Sequence, residues 1–152
     1  MQAMLWGVCL ALAASPDTDV RFMAVERFTL AWTHSIEKVR WEEDYSVVAP
    51  EAQQPGTDKN TPYRQGPYRL QADQARIKGS AAGMEPAPDA RLENGWYTYQ
   101  PPQPLEPVLR LSRSRYTPDY EWCVDGTCTS MESILPSDGG ITLLYVCPKP
   151  KP

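Results

Sequence analysis

His34 is the only histidine of this 152-residue chain, and it stands close to the densest run of carboxylates, in FTLAWTHSIEKVRWEEDYSVVA over residues 28–49. Alternation predicts two strands here. Phe28, Leu30, Trp32, His34 and Ile36 share one face of the first, and Trp41, Glu43, Tyr45 and Val47 share one face of the second. A short turn around Lys38-Val39 sets Ile36 opposite Trp41, Trp32 opposite Tyr45, Leu30 opposite Val47 and His34 opposite Glu43. A carboxylate facing an imidazole can be a structural polar link, the base of a ligand pocket or an acid–base couple. The residues leave all three open. Ser35 makes no dyad with His34, because adjacent strand residues point to opposite faces. No Gly-x-Ser-x-Gly elbow is present. A metal centre lacks ligands beyond His34 and Glu43. Glu42 and Asp44 share the outer face and read as solvated charge.

Other groups extend the candidate ligand set. Gly79 and Gly83 bracket a small-residue segment, where glycine implies special backbone geometry or close approach. Arg113 falls on the face of Leu109 and Leu111, where an arginine beside a core suits a carboxylate or phosphate clamp. The candidate contacts are therefore His34, Ser35, Glu37, Lys38, Glu43, Gly79, Gly83 and Arg113.

Cys123-Val-Asp-Gly-Thr-Cys128 reads as a hairpin with a type I′ turn at Asp125-Gly126. That turn sets Cys123 against Cys128 in a non-hydrogen-bonded pair, which accepts a disulfide in an oxidising compartment. Tyr120, Trp122 and Val124 lie on the other face with Met131. Cys147 is left over and reads as a buried free thiol.

The elements that must position these groups are strands. The chain holds 16 Pro and 9 Gly, with 41% hydrophobic and 22% charged residues. Such punctuation suits many strands and turns better than a helical bundle. A net charge of −4 argues against nucleic acid, which rewards a basic stripe. The expected fold is all-β, a small antiparallel sandwich or partly closed barrel of about seven to eight strands. Residues 50–67 read as a polar loop, 68–78 as one or two strands or a helical turn, and 96–99 as a strand after an Asn94-Gly95 turn. Residues 141–147 are apolar on both faces, the mark of a central strand. Residues 148–152 form an extended tail.

Met4–Ala14, MLWGVCLALAA, is the only long apolar run. It is about half of the roughly 20 residues a spanning helix needs. Ala11-Leu12-Ala13 fits a small-x-small cleavage site, so residues 1–13 are expected to be a signal peptide and 14–152 a single β-rich domain. The n-region carries no Lys or Arg, which leaves an uncleaved N-terminal anchor as the alternative. The mature chain is expected to be periplasmic or secreted, with no membrane span.

His34-Ser-Ile-Glu-Lys38, Trp41-Glu-Glu-Asp-Tyr45, Ala75-Arg-Ile-Lys-Gly-Ser80 with Gly83-Met-Glu-Pro86, and Asn94-Gly-Trp-Tyr97 occur in order. As a set they resemble the DUF1850 family, over about Phe22 to Cys147. Ala81 departs from the Gly-Ser-Gly-Ala-Gly form expected there. The resemblance implies a small exported bacterial protein of unassigned activity, often encoded beside TRAP transporters of the TAXI type that carry small organic anions. Expected partners are thus TAXI-type TRAP subunits and a small organic anion, with no cofactor implied. The expected function is a non-enzymatic accessory or ligand-binding module. The alternatives are a hydrolase-like enzyme using His34 and Glu43, and a structural envelope protein without ligand.

Overall fold

The computed structural model describes residues 6–33, 38–49, 68–79, 89–101 and 105–150. They form two antiparallel sheets packed as a sandwich, not closed into a barrel. The first sheet has the order β2 (Arg21–Met23), β1 (Trp6–Leu12), β12 (Ile141–Pro148), β9 (Leu109–Ser112). The second runs β11 (Thr127–Ser130), β10 (Glu121–Val124), β3 (Arg27–Thr33), β4 (Arg40–Val48), β5 (Arg69–Lys78), β7 (Trp96–Tyr99), β6 (Arg91–Glu93). A short β8 (Leu105–Glu106) pairs with β5 beyond the end of β7. The all-β expectation holds, with twelve strands among the described residues against the seven or eight expected.

The core lies between the sheets. Val8 and Leu10 of β1 and Leu144 and Val146 of β12 meet Leu30, Leu70 and Ala72 of the second sheet. Trp122, Phe28 and Tyr45 stack in a row across β10, β3 and β4, with centroids 4.4 Å and 5.4 Å apart. Offset stacking of this kind adds to the gain from burying the rings. The central placement of residues 141–147 follows the reading from their two apolar faces, since β12 is flanked by β1 and β9.

The N-terminal apolar run is part of this core. The segment expected to be cleaved after Ala13 is β1, paired with β12 from Trp6↔Pro148 to Leu12↔Thr142. Its Val8, Leu10 and Ala11 are fully buried. Gly7 is needed for close approach, because a Cβ there would sit 2.4 Å from the Met23 carbonyl oxygen of β2. Cleavage at that site would remove a central strand. The reading of Cys147 as a free thiol is also corrected: it is bonded to Cys9. Both sulfurs lie on the face of the first sheet away from the main core, packed with Leu143 and Tyr145. The partner of Cys147 lies in the N-terminal apolar run, 138 residues earlier.

The second hairpin matches its sequence reading in register. Cys123 faces Cys128, the two are bridged, and Asp125 and Gly126 take φ of 51° and 83°. The β3–β4 hairpin keeps the expected faces but not the expected register. Glu43 faces Leu30, Trp41 faces Trp32 and Tyr45 faces Phe28. Glu43 is thus paired four residues before His34, and the cross-strand His34–Glu43 pair of the sequence reading is not made by this ladder. Aromatic pairing accounts for the choice: Trp32 stacks on Trp41 at 6.0 Å and Phe28 on Tyr45. The ladder ends with Thr33 opposite Arg40, and Lys38 before β4 has a φ of 55°. β5 is one strand, with Asp73 bulged because Asp44 faces Gln74 while Tyr45 faces Ala72.

Candidate functional site

Strand order brings the candidate chemistry to one end of the larger sheet. β3 finishes there at Thr33, β4 begins at Arg40, β5 finishes at Lys78 and β7 begins at Trp96. An inward row crosses these four strands as Trp32, Trp41, Ile77 and Tyr97, and the next row is Leu30, Glu43, Ala75 and Tyr99. Trp32 also packs against Tyr120 at 5.8 Å. Thr33, Ser112, Ser114 and Thr117 join Trp32 and Tyr120 around a pocket of about 280 Å³. The result is a half-buried aromatic wall beside hydroxyl groups, a common lining for a small polar ligand.

Glu43 places a carboxylate in this aromatic setting. The Tyr45 hydroxyl donates to its Oε1 at 3.1 Å. Burial pushes the Tyr99 and Tyr120 phenols upward, and the Glu43 charge adds to both, with smaller effects from Asp89 and Asp119 respectively. Their folded values thus exceed the unfolded value of about 10. The stabilisation is complete below pH ~10 and declines as pH rises through the folded values, because the unfolded chain gives up these protons first. Absorbance titration at 295 nm should show Tyr99 and Tyr120 among late-ionising phenols, with stability to urea falling above pH ~10. Ionisation of all tyrosines together near pH ~10 would remove this account.

The opposite face of the sheet carries a charge network. Arg76 donates to Asp44 at 2.7 and 3.1 Å and to Glu42 at 2.7 Å. Thr29 donates to Asp44 at 2.6 Å. Arg40 binds the other oxygen of Glu42 and reaches Glu121 on β10. Thr29, Glu42, Asp44 and Arg76 border a groove of about 880 Å³, whose lining also includes Arg27, Ser46, Asp73 and the Cys123–Cys128 bridge. Glu42 and Asp44, which sequence alone left as solvated charge, are cross-linked by arginines. Arg76 was visible in sequence only as a polar position in a strand, with nothing to reveal its two partners. Among the described residues, no group of three or more His, Cys, Asp or Glu side chains converges to hold a metal ion. No helix among them is long and apolar enough to cross a membrane.

A family defined as a domain of unknown function, DUF1850, matches residues 28–131. The chain belongs to the DUF1850 family. The match runs from β3 to the 3-10 turn at Met131–Ser133, so β1, β2 and β12 lie outside it. No curated protein and no solved structure matches the chain.

The DUF1850 blocks place the expected site residues unevenly. His34, Ser35, Glu37 and Gly83 lie outside the described residues. Lys38 is exposed just before β4, and Gly79 follows β5 with a φ of 87° and donates its N–H to the Gly95 carbonyl at 2.8 Å. Trp41 faces Ile77, so Lys38 and Gly79 belong to the same sheet end as Glu43. Arg113 is different. Its side chain is buried, and it donates to both Asp119 oxygens at 2.9 and 2.8 Å and to Thr142 Oγ1 at 3.1 Å. Its inward position agrees with the sequence reading, but its donors are spent on protein acceptors and not directed at a ligand.

Proposed function

We propose that this DUF1850 protein is a non-enzymatic, extracytoplasmic binding module that serves a TAXI-type TRAP uptake system for small organic anions. The observation that supports binding is the convergence of the described family blocks at one sheet end. There, inward Trp32, Trp41 and Glu43 lie at the strand ends, the exposed Lys38 just precedes β4, and the exposed Lys78 ends β5 on the face opposite Ile77. Lys78 is held over the Trp96 ring at 4.9 Å, which fixes a cation beside the Gly79 turn. One fixed cation, Lys78, and the exposed Lys38 at the rim of this sheet end offer positive charge to a small carboxylate. Two disulfides agree with an oxidising compartment. The transporter connection comes from the family resemblance alone.

A thermal-shift panel of dicarboxylates and amino acids tests the ligand. At ligand concentrations of about 100 times Kd, binding stabilises by about 2.7 kcal/mol, a shift of several degrees. The shift is expected to shrink in the double variant Lys38→Ala, Lys78→Ala. No shift across the panel would sink the anion reading, while copurification with transporter subunits would still support the accessory role.

A further inference from the structure

The two disulfides of this chain occupy opposite physical situations. Cys9–Cys147 joins residues 138 apart in sequence, and its sulfurs belong to residues only 3% and 4% exposed. Cys123–Cys128 joins residues five apart, inside a hairpin already closed by its turn and ladder. The entropy a cross-link removes from the unfolded chain grows with the loop it closes, so the short bridge adds little that the hairpin lacks. Cys128 is exposed on the edge strand β11, and Arg40 Nη2 lies 3.7 Å from its sulfur.

We propose that Cys123–Cys128 is an exchange-competent redox site, opened by a dithiol of the same compartment, while Cys9–Cys147 is a permanent staple. One thiolate of the dithiol attacks the exposed Cys128 sulfur. The Cys123–Cys128 bond breaks, and Cys123 leaves as thiolate and takes up a proton. The second thiolate of the dithiol then attacks its own sulfur in the mixed disulfide and expels Cys128. The dithiol loses two electrons and becomes a disulfide; the protein gains them as two thiols. Cys128 is released 3.7 Å from the Arg40 guanidinium, whose charge lowers the cost of a thiolate beside the neighbouring carboxylates. Glu42 and Asp44 of β4, Asp73 and Arg76 of β5, Arg27 of β3 and Asp125 of the turn line the same groove as the bridge, and Glu121 of β10 meets Arg40. Glu42 and Glu121 are already bound to Arg40. Opening the bridge therefore gives Arg40 a third anion and changes the wall of the outer groove.

The test uses the full, folded chain in dithiothreitol buffers of graded reduced-to-oxidised ratio, quenched with N-ethylmaleimide and read by peptide mass. Cys123 and Cys128 are expected to be alkylated at ratios at least tenfold below those that open Cys9–Cys147. Opening of both bridges together, or of Cys9–Cys147 first, overturns the proposal. In the reduced protein the pH profile of Cys128 alkylation should move to higher pH in Arg40→Gln and stay near the parent profile in Arg40→Lys. Coincident profiles for Arg40→Gln and the parent would remove Arg40 from the site.

Discussion

A chain shortened to begin at Ala14 is expected not to fold. The deletion removes β1, the strand between β2 and β12, and leaves Cys147 without its partner. Val8 and Leu10 are fully buried, and burying each such side chain is worth about 1.5–3 kcal/mol. Losing a disulfide that closes so long a loop costs roughly 2–5 kcal/mol. Together these match the roughly 5–15 kcal/mol that holds a whole domain. The paired N–H and C=O groups of β12 would also lose their partners on one side. Circular dichroism and thermal melting of the shortened and full chains decide the matter. The shortened chain should show no cooperative transition, whereas Cys9→Ser should melt cooperatively at a lower temperature. An unchanged Tm in the shortened chain would mean that β1 contributes nothing to the fold.

The same strand shows why the sequence was only partly legible. A seven-residue apolar strand buried on both faces has the composition of a leader's apolar segment. What separates them is a partner 138 residues away, and local hydropathy cannot see it. The second hairpin was readable because its information is local. Asp125-Gly126 fixes the turn, and the turn fixes Cys123 opposite Cys128. The first hairpin lies between these cases. Period-two alternation sets which face is inward, so Glu43 and Trp32 were placed on the correct side. A slip of an even number of residues keeps every inward residue inward. Nothing in the alternation could therefore distinguish Glu43 opposite Leu30 from Glu43 opposite His34. The stacking of Trp32 on Trp41 makes that choice, and it exists only once both strands are folded. The charge network of Arg76 with Glu42 and Asp44 was hidden for a related reason, since it joins β5 to β4 across the sheet.

Arg113→Ala is expected to cost about 3–5 kcal/mol, the usual penalty for removing one member of a buried, hydrogen-bonded ion pair. The parent guanidinium is almost wholly enclosed and bridges Asp119 to Thr142 of β12, with a longer approach to Glu132 at 3.4 Å. Truncation leaves Thr142, itself fully buried, without this donor, and Asp119 without its two-pronged partner. Arg113→Lys should recover only part of the loss, because an ammonium cannot meet two carboxylate oxygens and a hydroxyl in the same planar geometry. The double variant Arg113→Met, Asp119→Asn should be more stable than Arg113→Ala, since it removes the charge that the single change strands. Urea denaturation of the four proteins measures all of these differences. Ligand-dependent thermal shifts should survive in Arg113→Lys, because its counterpart in the parent serves the protein's own acceptors. A loss below about 1 kcal/mol in Arg113→Ala, together with a lost ligand shift in Arg113→Lys, would instead return Arg113 to the ligand site.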